Sequence, residues 1–259
     1  MLAVEVGIAS HVGRVREINE DAIFAGTRLF AVADGMGGHA AGDVASRTVV
    51  DVLAHLDGAP LDPGALRSRV AVANDAVLHY GRTHPQGAGL GTTLAGIALI
   101  TESGVPHWAV FNIGDSRVYR LADGTVRQLT VDHSEVEEMV SGGLISREEA
   151  RHHPSRHIVT RVIGEIPPPV LDLVVVPVIH GDRWLITSDG LTSELDDDDI
   201  ARQLGRGESA SATAAHLVES ALGAGGRDNV SVIVVDVTDA ELAALDVAQT
   251  TIPREKVES

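Results

Sequence analysis

Residues 92–124 read TTLAGIALITESGVPHWAVFNIGDSRVYRLADG, and this stretch decides the fold class. Three short apolar runs, at 92–100, 105–112 and 117–121, are punctuated by Glu102-Ser-Gly104 and Gly114-Asp115-Ser116, and Asp123-Gly124 offers a further tight turn. Strands joined by such short turns pair antiparallel, so the middle of the chain predicts a run of hairpins.

Upstream, 3–10 and 28–33 read as strands, and a helix over 40–56 follows, with Ala45, Val49, Val52, Leu53 and Leu56 on one face. A second helix starts soon after: Asp62 can cap it, Pro63 suits its first position, and Leu66, Val70, Ala73 and Val77 form its inner stripe. Downstream, strand patterns return at 170–179, 183–188 and 229–237. Helices are expected at 197–203 and 208–222, the second burying Ala212, Ala215, Leu217 and Leu222. Strands and helices do not alternate regularly. That disfavours a doubly wound sheet and predicts antiparallel sheets with paired helices packed outside them. One compact domain is expected over 1–238 and a loose tail over 239–259. Residues 132–169, rich in His, Arg, Glu, Gly and Pro, read either as a flap over a site or as an exposed excursion.

The 259 residues carry 37 acidic against 20 basic side chains, a formal net charge of -17. Such a field repels nucleic acid and anionic membrane, and no basic run offsets it. The absence of cysteine excludes disulfides, a cysteine nucleophile and thiolate metal sites. Any metal is therefore expected on oxygen donors, which suit magnesium or manganese. No secretory leader and no run of roughly 18 apolar residues is evident, so a cytoplasmic protein without a membrane span is expected. No long heptad pattern announces self-association, and a monomer is expected.

Four segments share one design, an apolar strand running into an acidic turn. They are Phe30-Ala-Val-Ala-Asp34-Gly35-Met36-Gly37-Gly38-His39, Phe111-Asn-Ile-Gly114-Asp115-Ser-Arg117, Trp184-Leu-Ile-Thr-Ser-Asp189-Gly190, and Gly226-Arg-Asp228-Asn229 before a strand. Each aspartate alone reads equally well as the cap of a turn. Four at strand ends can converge on one sheet edge, where their repulsion favours a multinuclear cation site. A fifth segment, Arg16-Glu-Ile-Asn19-Glu20-Asp21, is either a polar turn or a phosphate site. In the second reading Arg16 offers two parallel donors to phosphoryl oxygens, and Glu20 and Asp21 orient metal-bound waters. Among the twelve histidines, His39 is the one kept as a candidate proton donor, for its place beside the Asp34 turn. Ser188 lacks a Gly-x-Ser-x-Gly setting, which weighs against a serine hydrolase.

In order along the chain, Arg16-x-x-Asn-Glu-Asp21, Asp34-Gly-Met-Gly-Gly-His39, Gly91-Thr-Thr93, Gly114-Asp-Ser-Arg117, Ser188-Asp-Gly190 and Asp228-Asn229 resemble the motifs of the metal-dependent protein phosphatases, in their bacterial serine/threonine branch. The resemblance covers about residues 3–237. It implies an α+β fold, a four-layer α-β-β-α sandwich with two central antiparallel sheets flanked by helices. It also implies Mn2+ or Mg2+ as cofactor, two core ions and a third. Asp34 would bridge the core pair, Gly35 would add its carbonyl, and Asp189 and Asp228 would complete the ligation; Asp115 would serve the third ion together with Asp189. Glu20 and Asp21 would act through water in the outer shell, and Arg16 would hold phosphate. Phosphorylated proteins are the implied partners, notably serine/threonine kinases and their substrates. Two departures stand out: Met36 replaces the histidine of many eukaryotic relatives, and His157 replaces the commoner flap asparagine. Alternatives from other classes are a metal-dependent hydrolase of small phosphate esters and a non-catalytic acidic interaction domain.

Overall fold

A computed structural model describes residues 2–37, 41–58, 61–84, 89–102 and 104–240. Strands β1 (Leu2–His11), β2 (Asp21–Ala25) and β3 (Leu29–Met36) precede helices α1 (Gly42–Ala54) and α2 (Pro63–Thr83). The central hairpins follow as β4 (Gly91–Thr92), β5 (Leu94–Glu102), β6 (Val105–Ile113), β7 (Arg117–Ala122) and β8 (Thr125–Gln128). Helices α3 (Glu135–Ser141) and α4 (Arg147–His152) lie in the flap region, before β9 (Asp172–Pro177) and β10 (Arg183–Thr187). The chain continues through α5 (Asp189–Thr192), α6 (Asp197–Leu204), α7 (Ala210–Ala224) and β11 (Val230–Ala240).

The strands form two antiparallel sheets, ordered β1-β11-β10-β7-β8 and β2-β3-β5-β6-β9, with β4 pairing β3. Alternation along each strand explains the layering. On β3, Leu29 and Ala31 face the α1 and α2 stripes, including Val49, Leu53, Leu66 and Val70. Phe30 and Val32, with Trp108 and Val110 of the same sheet, face the other sheet and meet Val118, Trp184, Ile186 and Val235. On β11, Val230, Val232 and Val234 pack under α6 and α7. Two sheets and two helix layers thus make the four-layer sandwich. Because both faces of the central strands are buried, they read as continuous apolar runs rather than alternating ones. Aromatics are few, yet both tryptophans meet edge-on between the sheets, ring centroids 6.2 Å apart, and Phe30 stands 6.3 Å from Trp108.

Asp62 caps α2 by accepting from the Ala65 N–H at 2.8 Å, with Pro63 as its first residue. The inner stripe of α7 departs from expectation: Ala210, Thr213, Ala214, Leu217, Val218 and Ala221 are buried, whereas Ala215 is exposed and Ala212 half-buried. In a run rich in alanine, several faces have nearly equal apolarity, and docking on β1 and β11 selects one. Strand β8 and helices α4 and α5 add to the expected elements. Strand β11 runs to Ala240 beside β1, and residues 241–259 of the expected tail lie outside the described residues.

Candidate active site

Register brings the acidic turns together. Thr187 at the end of β10 pairs with Arg117 at the start of β7 and with Val232 near the start of β11, so Asp189, Asp115 and Asp228 leave one end of one sheet. In the other sheet, Asp21 pairs with Asp34, Val32 with Ala95, and Leu94 with Ile113, which sets Asp34 beside the β6–β7 turn. Arg16, Glu20, Asp34, Gly35, Asp115, Asp189 and Asp228 consequently line one cleft of about 500 Å³. His39 lies outside the described residues.

The cleft walls are held by hydrogen bonds at short range. Thr93 donates its N–H to the Asp34 carbonyl at 2.9 Å, while its Oγ1 accepts the Asp34 N–H at 3.0 Å and meets Ser116 Oγ at 2.7 Å. The Asp34 and Asp115 turns are thereby tied through one buried threonine. Asn229 accepts the Glu20 N–H at 2.8 Å and donates to the Val12 and Ile18 carbonyls, pinning the loop that carries Arg16. Gly35 permits close contact: a Cβ there would stand 2.1 Å from the Gly42 carbonyl oxygen at the start of α1.

Burial lifts the Asp34 carboxyl well above the usual carboxylate range, reinforced by the charges of Asp21, Asp189 and Asp115. Asp115 is raised in the same way by burial, Asp189 and Asp132, and Asp189 is raised by burial and Asp228. Asp21 is pushed up to about 7 by burial, although Ser188 donates to its Oδ2 at 2.7 Å. Its Oδ1 is buried without a protein partner. Asp34 and Asp189 each act on the other's carboxyl, and like charges so placed are relieved by a proton or a cation. Among the described residues, no three His, Asp or Glu side chains cage an ion by themselves. Carboxylates sharing a cleft with backbone oxygens and water instead suit hard divalent cations that keep part of their hydration. At the cleft mouth Arg16 donates to Asp228 Oδ2 at 2.8 Å, and this bond holds its guanidinium further toward the charged form.

A protein-family profile described as Protein phosphatase 2C matches residues 9–224. The chain belongs to the protein phosphatase 2C family. Over 246 residues, 92% of this chain, it is 41% identical to the serine/threonine protein phosphatase PstP of Mycobacterium tuberculosis, and the match covers 46% of that relative. The chain thus spans about half the length of the curated mycobacterial relatives it matches. The crystal structure of M. tuberculosis PstP superposes with a TM-score of 0.85 at 38% identity, covering 92% of this chain and all of that one. A structure of the PstP catalytic domain in complex with 2 manganese ions superposes at 0.82, also at 38% identity, with 92% of this chain and 100% of that chain covered.

Within this phosphatase 2C scaffold, several cleft residues escaped the reading of motifs as ligands. Ser188, part of the Ser188-Asp-Gly190 motif and weighed there only against a nucleophile's role, donates to Asp21 and accepts the Ser231 N–H at 3.0 Å. Arg156 and His157 of the flap line the cleft, as do Glu194 and Arg227 from beside α5 and β11. Arg227 is bidentate on Glu194, with both bonds at 2.9 Å. Nothing local in the sequence pairs residues so far apart. For the flap, the signal was Ser146 followed by Glu149, a capping box that the structure forms at α4.

Proposed function

We propose that this chain is a metal-dependent protein phosphatase that hydrolyses phosphoserine and phosphothreonine monoesters in proteins, with phosphoproteins such as serine/threonine kinases and their substrates as partners. The observation that carries the proposal is the convergence of Asp34, Asp115, Asp189 and Asp228 on one cleft, with the buried Asp21 close enough to feel Asp189 and Asp228 and with Arg16 at the mouth. Asp34, Asp189, Asp228 and the Gly35 carbonyl would hold a pair of Mn2+ or Mg2+ ions, as the manganese pair in the related PstP domain supports, and Asp115 with Asp189 would serve a third. When bound, the ions supply Lewis-acid activation of water and neutralise charge on the phosphoryl group.

Arg16 is placed to grip the nonreacting phosphoryl oxygens. A cation taking Asp228 and an anion taking Arg16 would together replace their mutual bond, so ester and metal favour each other's entry. Glu20, raised by burial, lines the cleft and is suited to accept or return protons from water there. Thr93 and Asn229 keep the turns fixed while this happens. The test is phosphate release from phosphothreonine, phosphoserine and phosphotyrosine peptides with and without manganese. Manganese-dependent release from the first two, abolished by chelator, is expected. A marked preference for small esters over every peptide would instead favour the small-substrate hydrolase.

A further inference from the structure

The Gly114–Asp115 turn is gripped from outside the cleft by a residue that the chemistry above does not use. The buried His133 accepts the Gly114 N–H on its Nδ1 at 2.9 Å, and its own N–H donates to the Gly114 carbonyl at 2.9 Å. Both polar groups of the residue before Asp115 therefore end on one histidine. Because Nδ1 accepts the Gly114 N–H, the ring proton sits on Nε2, and that nitrogen meets Asp172 Oδ2 at 3.1 Å. The other oxygen of Asp172 accepts from Arg161 at 2.7 Å. Burial holds the imidazole below its usual range, consistent with the neutral ring this bonding demands.

The same residue sits where the two ends of the flap meet. Its carbonyl accepts the Thr160 N–H at 2.8 Å, the Glu135 N–H donates to the Ile158 carbonyl at 2.9 Å, and Ser134 bridges Val159. Helices α3 and α4 lie between these contacts, so displacement at the flap base is transmitted to His133 and thence to Gly114. The turn itself has little freedom to compensate. Gly114 has φ +99°, a Cβ there would meet Thr93 at 2.6 Å, and Asn112 fastens its carbonyl at 3.0 Å.

We infer that His133 is a positioning residue that locks the Asp115 turn to the base of the flap, so that cation affinity at Asp115 depends on the bond from the Gly114 N–H to the ring. The cation-affinity part rests on the phosphatase reading above; the lock on the turn does not. Two substitutions separate the halves of the imidazole. The Asn amide reproduces the position of Nδ1 and can still accept from Gly114, whereas Gln reproduces Nε2 and can still reach Asp172. The full chain of each variant is compared by amide hydrogen exchange over residues 112–117, manganese titration by calorimetry and turnover, and thermal melting.

His133→Gln is expected to raise exchange in the Gly114 segment about tenfold and to weaken by a similar factor the manganese binding that Asp115→Asn also weakens. Manganese binding that survives Asp115→Asn and KM for a phosphothreonine peptide should stay unchanged, with the loss appearing in kcat at limiting metal. His133→Asn should remain close to wild type in each respect. Two results overturn the inference: a folded His133→Gln with native exchange at 112–117, or equal loss in Asn and Gln variants that tracks melting temperature alone. If wild type releases no phosphate with any metal, the phosphatase reading fails, and the exchange comparison decides the lock on the turn by itself.

Discussion

Asp57 and Asp236, at the end of the sandwich opposite the cleft, are met by donors from the protein itself. Asp57 accepts the N–H groups of Thr27, Arg28 and Leu29 at the β2–β3 turn, and these bonds outweigh its burial and hold it below the usual range. Asp236 receives a bidentate pair from Arg183 at 2.6 and 2.7 Å. Asp34, Asp115 and Asp189 are surrounded chiefly by one another and held above that range. The same side chain is neutralised internally at one end and left without donors to balance its charge at the other. A cation bound as proposed would supply there what Arg183 and the backbone supply for Asp236 and Asp57.

The strongest way to break the comparison is Asp34→Asn. Turnover of a phosphothreonine peptide should fall by ~10³-fold or more, about 4 kcal/mol of transition-state stabilisation. Under chelator, the same variant should melt a few degrees higher, roughly 2–4 °C for each kcal/mol of relieved repulsion. Melting below wild type would show that Asp34 is a stabilising carboxylate like Asp57.

At the opposite end, Arg183→Met leaves Asp236 without its largely buried partner. Urea unfolding should show a loss of about 3 kcal/mol, with turnover per folded molecule unchanged. A loss of activity without a loss of stability would erase the division between the two ends.

A smaller effect sharpens the contrast through pH. For Asp57 the folded pKa is depressed, so its stabilisation is present above the unfolded value near 3.8 and is lost as pH falls through the folded one. For Asp21, Asp34, Asp115 and Asp189 the folded pKa is raised. The unfolded chain then releases protons first, and stability falls as pH rises from about 4 toward the value of about 7 reached by Asp21. Chelator-treated protein should therefore melt lower at pH 7.5 than at pH 5.5, and manganese should abolish or reverse that slope. A metal-free melting temperature that is flat across this window would contradict the raised carboxyls.

Much of the architecture was legible because its causes are local. The Asp62-Pro63 cap, the hairpin signals between 92 and 124, and the doubly buried runs of β3 and β10 each carry their own evidence within a few residues. Strand β8 was not legible, since four residues with only half-buried sides leave little pattern. The motif aspartates were recognisable by type and setting, but Ser188, Thr93 and His133 gain meaning only from partners 19 to 167 positions away.

The sequence by itself determined the Asp62 cap, the central hairpin turns, the antiparallel class, the exclusion of thiolate ligands and the membership of strand-end aspartates in one family of motifs. Tertiary structure alone decided that β1 closes on β11, that the aspartate turns open into one cleft, and that one histidine fastens the Asp115 turn to the flap. The reason is physical: caps and periodicity act over a few residues, whereas register and electrostatic repulsion arise only when distant segments are packed together.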